Sequence, residues 1–189
     1  MTECSCAVEV ISEADISSRV AELSEAMVGD YRGRDPIFVV VLNGAFPFAA
    51  DLVRRFDPPC EVEFLALNRF GESGRIGISM DLMAPVFERD VIVVEEIVDT
   101  GLTLKVLRAM MRDRGAASVS AAALLDKTRR RLTDVPIEYR GFEVGDEFLL
   151  GYGLDWEGLY RNLRSIWAVL DLQPFVEDPA VLWRALRAH

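Results

Sequence analysis

Apolar residues fall along this chain in two rhythms, short unbroken runs and stretches spaced three or four apart. The runs at 37–42 (Ile-Phe-Val-Val-Val-Leu), 91–94 (Val-Ile-Val-Val) and 118–125 read as strands buried on both faces, as in a parallel sheet. Each is followed or preceded by helical spacing. Residues 12–29 form a predicted helix with Ile16, Val20, Leu23 and Met27 on one face, Ser12 as N-cap and Gly29 as stop. A second begins at Phe46 and passes through Asp51, Leu52, Val53 and Phe56. A third carries Leu104, Leu107 and Met111 and ends at Gly115. Alternation at Val62, Phe64 and Ala66 predicts a strand over 61–67, and 78–83 can return as another. A last strand over 165–172 and a short helix over 179–189 complete the pattern. Repeated strand–turn–helix units predict an α/β domain with a parallel sheet flanked by helices.

The loops between these elements carry the polar residues of interest. After the run at 91–94 come Glu95 and Glu96, expected to end that strand. Ile97 and Val98 follow, then Asp99-Thr100-Gly101-Leu102-Thr103 and a helix start. Unpaired N–H groups and the positive dipole end at a helix start suit a phosphate. Acids just before it suit sugar hydroxyls or a metal-bound ligand, so the stretch reads as a ribose-phosphate site. Asp99 is also a candidate cap for the helix. Lys127 stands at the end of the 118–125 strand, on the edge where parallel sheets place ligands. Arg129, Arg130 and Arg131 read as a solvated charge run for the most part. Taken singly, Phe148 reads as core, Asp155 as a turn residue and Arg161 as a surface charge.

The stretch Val-Val-Glu-Glu-Ile-Val-Asp-Thr-Gly-Leu-Thr at 93–103 resembles the PRPP-binding signature of the type I phosphoribosyltransferases. Leu-Asn-Gly-Ala-Phe-Pro-Phe at 42–48 resembles that family's pyrophosphate loop, with Asn43 where many purine enzymes have Lys. Residues 142–163 (Phe-Glu-Val-Gly-Asp-Glu-Phe-Leu-Leu-Gly-Tyr-Gly-Leu-Asp-Trp, then Tyr-Arg-Asn-Leu) are similar to the C-terminal part of hypoxanthine-guanine phosphoribosyltransferases. The resemblance runs from about 39 to 172. It implies transfer of ribose 5-phosphate from PRPP to N9 of a 6-oxopurine, with Mg²⁺ as cofactor and pyrophosphate as product.

The resemblance also implies site roles. Asn43, Gly44, Ala45 and Arg161 would hold pyrophosphate, and Glu95 and Glu96 the ribose hydroxyls. Asp99, Thr100, Gly101, Leu102 and Thr103 would hold the 5′-phosphate. Asp99 would be catalytic, bonding to purine N7. Lys127 would read the exocyclic oxygen, Phe148 would stack on the base, and the Leu149 backbone and Asp155 would meet its edge. Glu95, Glu96 and Asp155 would serve the metal. The excursion at 68–77 would be a mobile lid, with Arg69-Phe70 in place of the usual Ser-Tyr. Family members are usually dimers or tetramers, so a homo-oligomer is expected. Two alternatives stay open: a non-catalytic regulator that senses PRPP or a nucleotide, and a type I phosphoribosyltransferase for another base.

Composition narrows this little further. The 189 residues fit one domain with a small hood from the chain ends. A formal net charge of −10 argues against nucleic-acid and anionic-membrane partners. The only histidine is His189, which nearly excludes histidine acid–base chemistry. Cys4, Cys6 and Cys60 form no C-x-x-C pair; a Cys/His zinc site lacks ligands, and three free thiols in a reducing cytosol are expected. No apolar run approaches the ~20 residues of a membrane span, and the first residues do not read as a signal peptide. The expectation is a cytoplasmic protein.

Overall fold

The computed structural model describes residues 6–70 and 75–187, without the side chains at 69, 70, 75 and 76. Its centre is a six-stranded sheet in the order β4-β3-β2-β5-β6-β7. These strands are β2 (Ile37–Leu42), β3 (Glu61–Phe70), β4 (Arg75–Met80), β5 (Asp90–Val98), β6 (Ser118–Asp126) and β7 (Tyr139–Glu143). The pairings β3–β2, β2–β5, β5–β6 and β6–β7 are parallel; only β4 runs antiparallel, against β3. Ile37 to Val40 and Val91 to Val94 are fully buried because helices cover both faces of the sheet. Helices α1 (Glu13–Asp30) and α2 (Phe46–Val53) cover one face, packing Val20, Met27, Phe48 and Leu52 on Phe38, Val40 and Ile92. Helix α3 (Leu102–Asp113) covers the other with Leu104, Leu107 and Met111 on Val39, Val93 and Ala121.

Several boundaries differ from the pattern-based ones. Ser12 does cap α1, in a reciprocal capping box with Asp15, but Gly29 lies inside the helix, which runs to Asp30 with Tyr31 as its C-cap. Helix α2 stops at Val53 rather than near Phe56. Strand β5 does not end at Glu95; it continues through Val98 because Glu95, Ile97 and Val98 keep pairing with Ala123, Leu125 and Asp126. Ladder hydrogen bonds outweigh the weak strand preference of two glutamates. The expected lid is an antiparallel extension, with Asn68 opposite Gly77 and Phe70 opposite Arg75. The tip at 71–74 and the side chains of Arg69 and Phe70 lie outside the described residues.

A second, three-stranded antiparallel sheet has the order β1-β9-β8: β1 (Ala7–Ile11), β8 (Phe148–Leu150) and β9 (Ile166–Val169). With short helices α4 (Gln173–Glu177) and α5 (Val181–Arg187) it encloses its own core of Tyr160, Trp167, Phe175 and Leu182. Cys6 lies in this core and is disulfide-bonded, so the expectation of three free thiols fails there; Cys60 is free. An odd cysteine count says nothing about which sulfurs the folded chain brings together. Among the described residues no helix is long and apolar enough to cross a membrane.

Candidate active site

The carboxyl end of β5 and the start of α3 form one wall of a cavity of about 510 Å³, lined by Glu95, Glu96, Asp99, Thr100, Thr103 and Arg130 among others. Gly101 is the N-cap of α3, at φ 81, a left-handed conformation that a side chain rarely adopts. As N-cap, Gly101 offers no side chain; the Leu102 N–H donates to Thr100 Oγ1 at 3.4 Å, and no hydrogen bond holds Asp99 as a cap among the described residues. Beyond the Leu102 N–H, the α3 start keeps donors available to a ligand.

The acids of this cavity are poorly satisfied. Glu95 Oε1, Glu96 Oε2 and Asp99 Oδ1 are buried without a hydrogen-bond partner among the described residues. Burial, and then the neighbouring Glu96 carboxylate, push the Glu95 carboxyl well above its ordinary range. Burial also pushes Glu96 up to about 6, with Arg161 opposing the shift and Asp155 adding to it. Asp99 Oδ1 lies 2.7 Å from Arg130 Nε, close enough for an ion pair but not aligned as a hydrogen bond. Both side chains are nearly half exposed, so the pair contributes at most about 1 kcal/mol. Unpaired carboxylate oxygens lining a cavity are suited to hydroxyl donors or a hard cation.

The turn Asn43-Gly44-Ala45 faces these acids. A Cβ on Gly44 would lie 2.3 Å from Glu96 Oε1, so a larger residue in the turn would displace the Glu96 side chain. On the turn's other side, a Cβ on Gly153 would lie 1.9 Å from the Gly44 carbonyl oxygen; Gly153 sits at φ 101. The loop after β8 is thus packed directly on the turn. That loop carries Asp155 and Arg161. Arg161 Nη1 donates to Gly153 O at 2.6 Å, and Nη2 lies 2.7 Å from Asp155 Oδ1. Arg161 lines a neighbouring cavity with Phe46 and Pro47 rather than the cavity of the acids, although its charge is felt at Glu96.

Lys127 stands beyond the end of β6 and is buried, an uncommon place for lysine. Its Nζ donates to Glu147 O at 2.7 Å and Asp146 O at 3.4 Å. An ammonium has three N–H groups, so one remains for a ligand. The carbonyls that hold Lys127 immediately precede Phe148, which is 40% exposed and meets Trp156 edge to face at 5.4 Å between centroids. Leu149 is buried opposite Ala168. A half-exposed ring beside a buried ammonium is a platform for a flat ligand that carries an acceptor.

Comparison with known proteins agrees with this geometry. The model of the phosphoribosyl transferase domain family matches residues 12–157. Hypoxanthine-guanine phosphoribosyltransferase of Bacillus subtilis is 40% identical over 161 residues, covering 83% of this chain and 89% of the relative. The chain belongs to the hypoxanthine-guanine phosphoribosyltransferase family. The corresponding protein of Streptococcus thermophilus is 39% identical over 158 residues, covering 82% of this chain and 88% of the other. A crystal structure of a hypoxanthine-guanine phosphoribosyltransferase from Bacillus anthracis superposes with a TM-score of 0.84 at 35% identity, over 86% of this chain and 98% of that one.

Within this phosphoribosyltransferase, the sequence-based reading missed the arginines after Lys127. Arg130 lines the acid cavity, and Arg131 donates to the Asp99 carbonyl at 2.9 Å. The available signal was their position just past a strand end on the ligand edge of the sheet.

Proposed function

We propose that this phosphoribosyltransferase transfers ribose 5-phosphate from PRPP to N9 of hypoxanthine or guanine, releasing pyrophosphate. The observation that carries the assignment is the pair of unpartnered acid oxygens on Glu95 and Glu96, in one cavity with the Asp99 carboxylate and the glycine-capped start of α3. The 5′-phosphate takes the backbone donors over Thr100 to Thr103. The ribose hydroxyls donate to Glu95 and Glu96. The purine lies on Phe148, its exocyclic oxygen accepting from the free N–H of Lys127, with the Leu149 backbone and Asp155 at its edge. Asp99 then accepts the proton at N7, or stabilises it there, and raises the electron density at N9 as C1′ becomes positive. Asn43, Gly44 and Ala45 offer backbone donors to pyrophosphate, and Arg161 offers a charge.

The orphaned carboxylate oxygens also fit magnesium, held by Glu95 and Glu96 with Asp155 near its water shell. Among the described residues no group of three or more His, Cys, Asp or Glu is arranged to hold a metal alone, so PRPP oxygens would complete the coordination. When bound, the ion neutralises charge on the leaving pyrophosphate. We place the protein in the cytoplasm as a homo-oligomer, a dimer or a tetramer.

The test is release of pyrophosphate by purified protein with PRPP and Mg²⁺, offering hypoxanthine, guanine, xanthine, adenine and orotate in turn. Turnover of hypoxanthine or guanine is expected, with adenine and orotate poor. PRPP or nucleotide binding without turnover of any base would overturn the assignment in favour of a regulator.

A further inference from the structure

Three consecutive carbonyls on the phosphate side of the site are all held by one short segment. Lys127 N–H donates to Val98 O at 3.0 Å, and Leu132 N–H donates to Thr100 O at 3.0 Å. The middle carbonyl, that of Asp99, is held by a side chain instead: Arg131 Nη1 donates to it at 2.9 Å. The second amino group of Arg131 pairs with Asp126 Oδ1. Asp126 is 2% exposed, and its other oxygen lies 3.1 Å from Arg140 Nε. A carboxylate buried so fully is costly to desolvate and persists only when its lone pairs are matched. Such pairs add little net stability; their attested use is to fix geometry. Arg131 is also the residue type for this task, because a planar fork can serve two acceptors at once and an ammonium cannot hold that geometry.

The position of this brace gives it a function. Asp126 directly precedes Lys127, and Arg131 ends on the backbone of Asp99. We propose that Arg131, braced on buried Asp126, is a positioning residue that sets Asp99 and the phosphate loop, and ties them to the strand end that reads the base. The inference rests on the phosphoribosyltransferase reading of the site. Losing the brace frees the Asp99 carbonyl and lets the loop and the carboxylate shift relative to Lys127. A shift of about 1 Å near reacting atoms is enough for a hundredfold loss of rate.

The test compares Arg131→Met, Arg131→Lys and the control Arg129→Gln, which alters an exposed neighbour in the same turn. Steady-state kcat and both KM values, thermal midpoints, and calorimetric binding of Mg²⁺-PRPP without base are measured for each. Arg131→Met should lower kcat/KM for PRPP by about ten- to hundredfold, the scale of a lost charged hydrogen bond, and weaken base-free PRPP binding. Arg131→Lys keeps the charge and should fold. It should recover less than half of the lost efficiency on a logarithmic scale, while its thermal midpoint stays near wild type. Arg129→Gln should match wild type throughout. Wild-type kinetics and PRPP affinity in Arg131→Lys would overturn the proposal, as would a fall in thermal midpoint with unchanged constants for the folded protein. If the wild type itself binds PRPP but turns over no base, the functional assignment fails. The calorimetric arm then still decides the role of Arg131.

Discussion

Replacing Glu96 with Gln isolates the charge cost that the acids of the cavity impose on the ligand-free protein. Its carboxyl is pushed from 4.5 up to about 6, chiefly by burial, so the folded state favours the protonated form. The sign follows by linkage. A carboxyl raised in the folded state contributes stability below its unfolded value, and that contribution is lost as pH rises from about 4.5 through about 6. The full shift corresponds to about 2 kcal/mol. One oxygen is buried, but the residue as a whole is only partly so, and screening reduces the figure to about 1–2 kcal/mol. Removing the Glu96 charge also relieves Glu95, whose shift it increases, so the two effects add. In metal-free buffer with chelator at pH 7.5, Glu96→Gln should therefore raise the thermal midpoint by about 2–8 °C. At pH 4.5 the gain should nearly disappear, because wild-type Glu96 is then mostly protonated. Thermal unfolding at the two pH values is the assay, and each variant serves as its own reference. An equal gain at both values, or a loss at pH 7.5, would refute the desolvation argument. The same variant should bind Mg²⁺-PRPP more weakly, since the amide offers a poorer acceptor to hydroxyls and metal.

Three further outcomes follow from the geometry. Asp99→Asn should lower kcat by about 10²–10⁴-fold with little change in PRPP affinity or thermal midpoint; because Gly101 caps α3 without a side chain, an unchanged kcat would remove Asp99 from the chemistry altogether. Lys127→Ala should raise KM for 6-oxopurines about ten- to hundredfold, and more than it raises KM for PRPP; equal losses for both substrates in a folded variant would take Lys127 out of the base site. Gly153→Ala would drive a Cβ into the Gly44 carbonyl and strain a φ of 101, so it should lower the thermal midpoint and abolish PRPP binding, and near-normal PRPP affinity would show that the two loops are not packed on each other.

The readable parts of this chain were those with a repeating physical cause. Unbroken apolar runs at Ile37–Leu42 and Val91 to Val94 can be buried on both faces only in a covered sheet, so strands, helices and their alternation followed from local pattern. Strand β1 was illegible for the opposite reason. Its partner among the described residues, β9, lies more than 150 residues away, and three of its five residues are exposed. Strand β7 contains Arg140 and Gly141, neither a strand former; Gly141 is there because a Cβ would lie 2.2 Å from Leu124 O. The ends of β5 and α1 were set by a neighbour's ladder and by cap geometry, which composition does not encode. The acids and the loop after β5 could be read together because contiguous residues make them.

The arginine turn shows the limit of such reading from another direction. Arg129, Arg130 and Arg131 are chemically identical and adjacent, yet a three-residue 3-10 turn at Thr128–Arg130 sends them to different tasks. Arg129 stays exposed, Arg130 reaches the Asp99 carboxylate, and Arg131 reaches the Asp99 carbonyl and Asp126. A tight turn rotates successive side chains by about 120°, so one step along the chain separates solvent from cavity and cavity from core. The acids of the site need this division of charge. Unpartnered oxygens of Glu95 and Glu96 and the Arg130-paired Asp99 line a cavity whose proposed ligand is itself a polyanion, and Asn43 supplies no charge at the turn that faces them. In the proposed function, phosphates therefore go to neutral backbone donors and to metal, and ribose hydroxyls to the acids. Arg130 meets the Asp99 carboxylate directly, while Arg131 holds the Asp99 backbone carbonyl and leaves the carboxylate itself untouched.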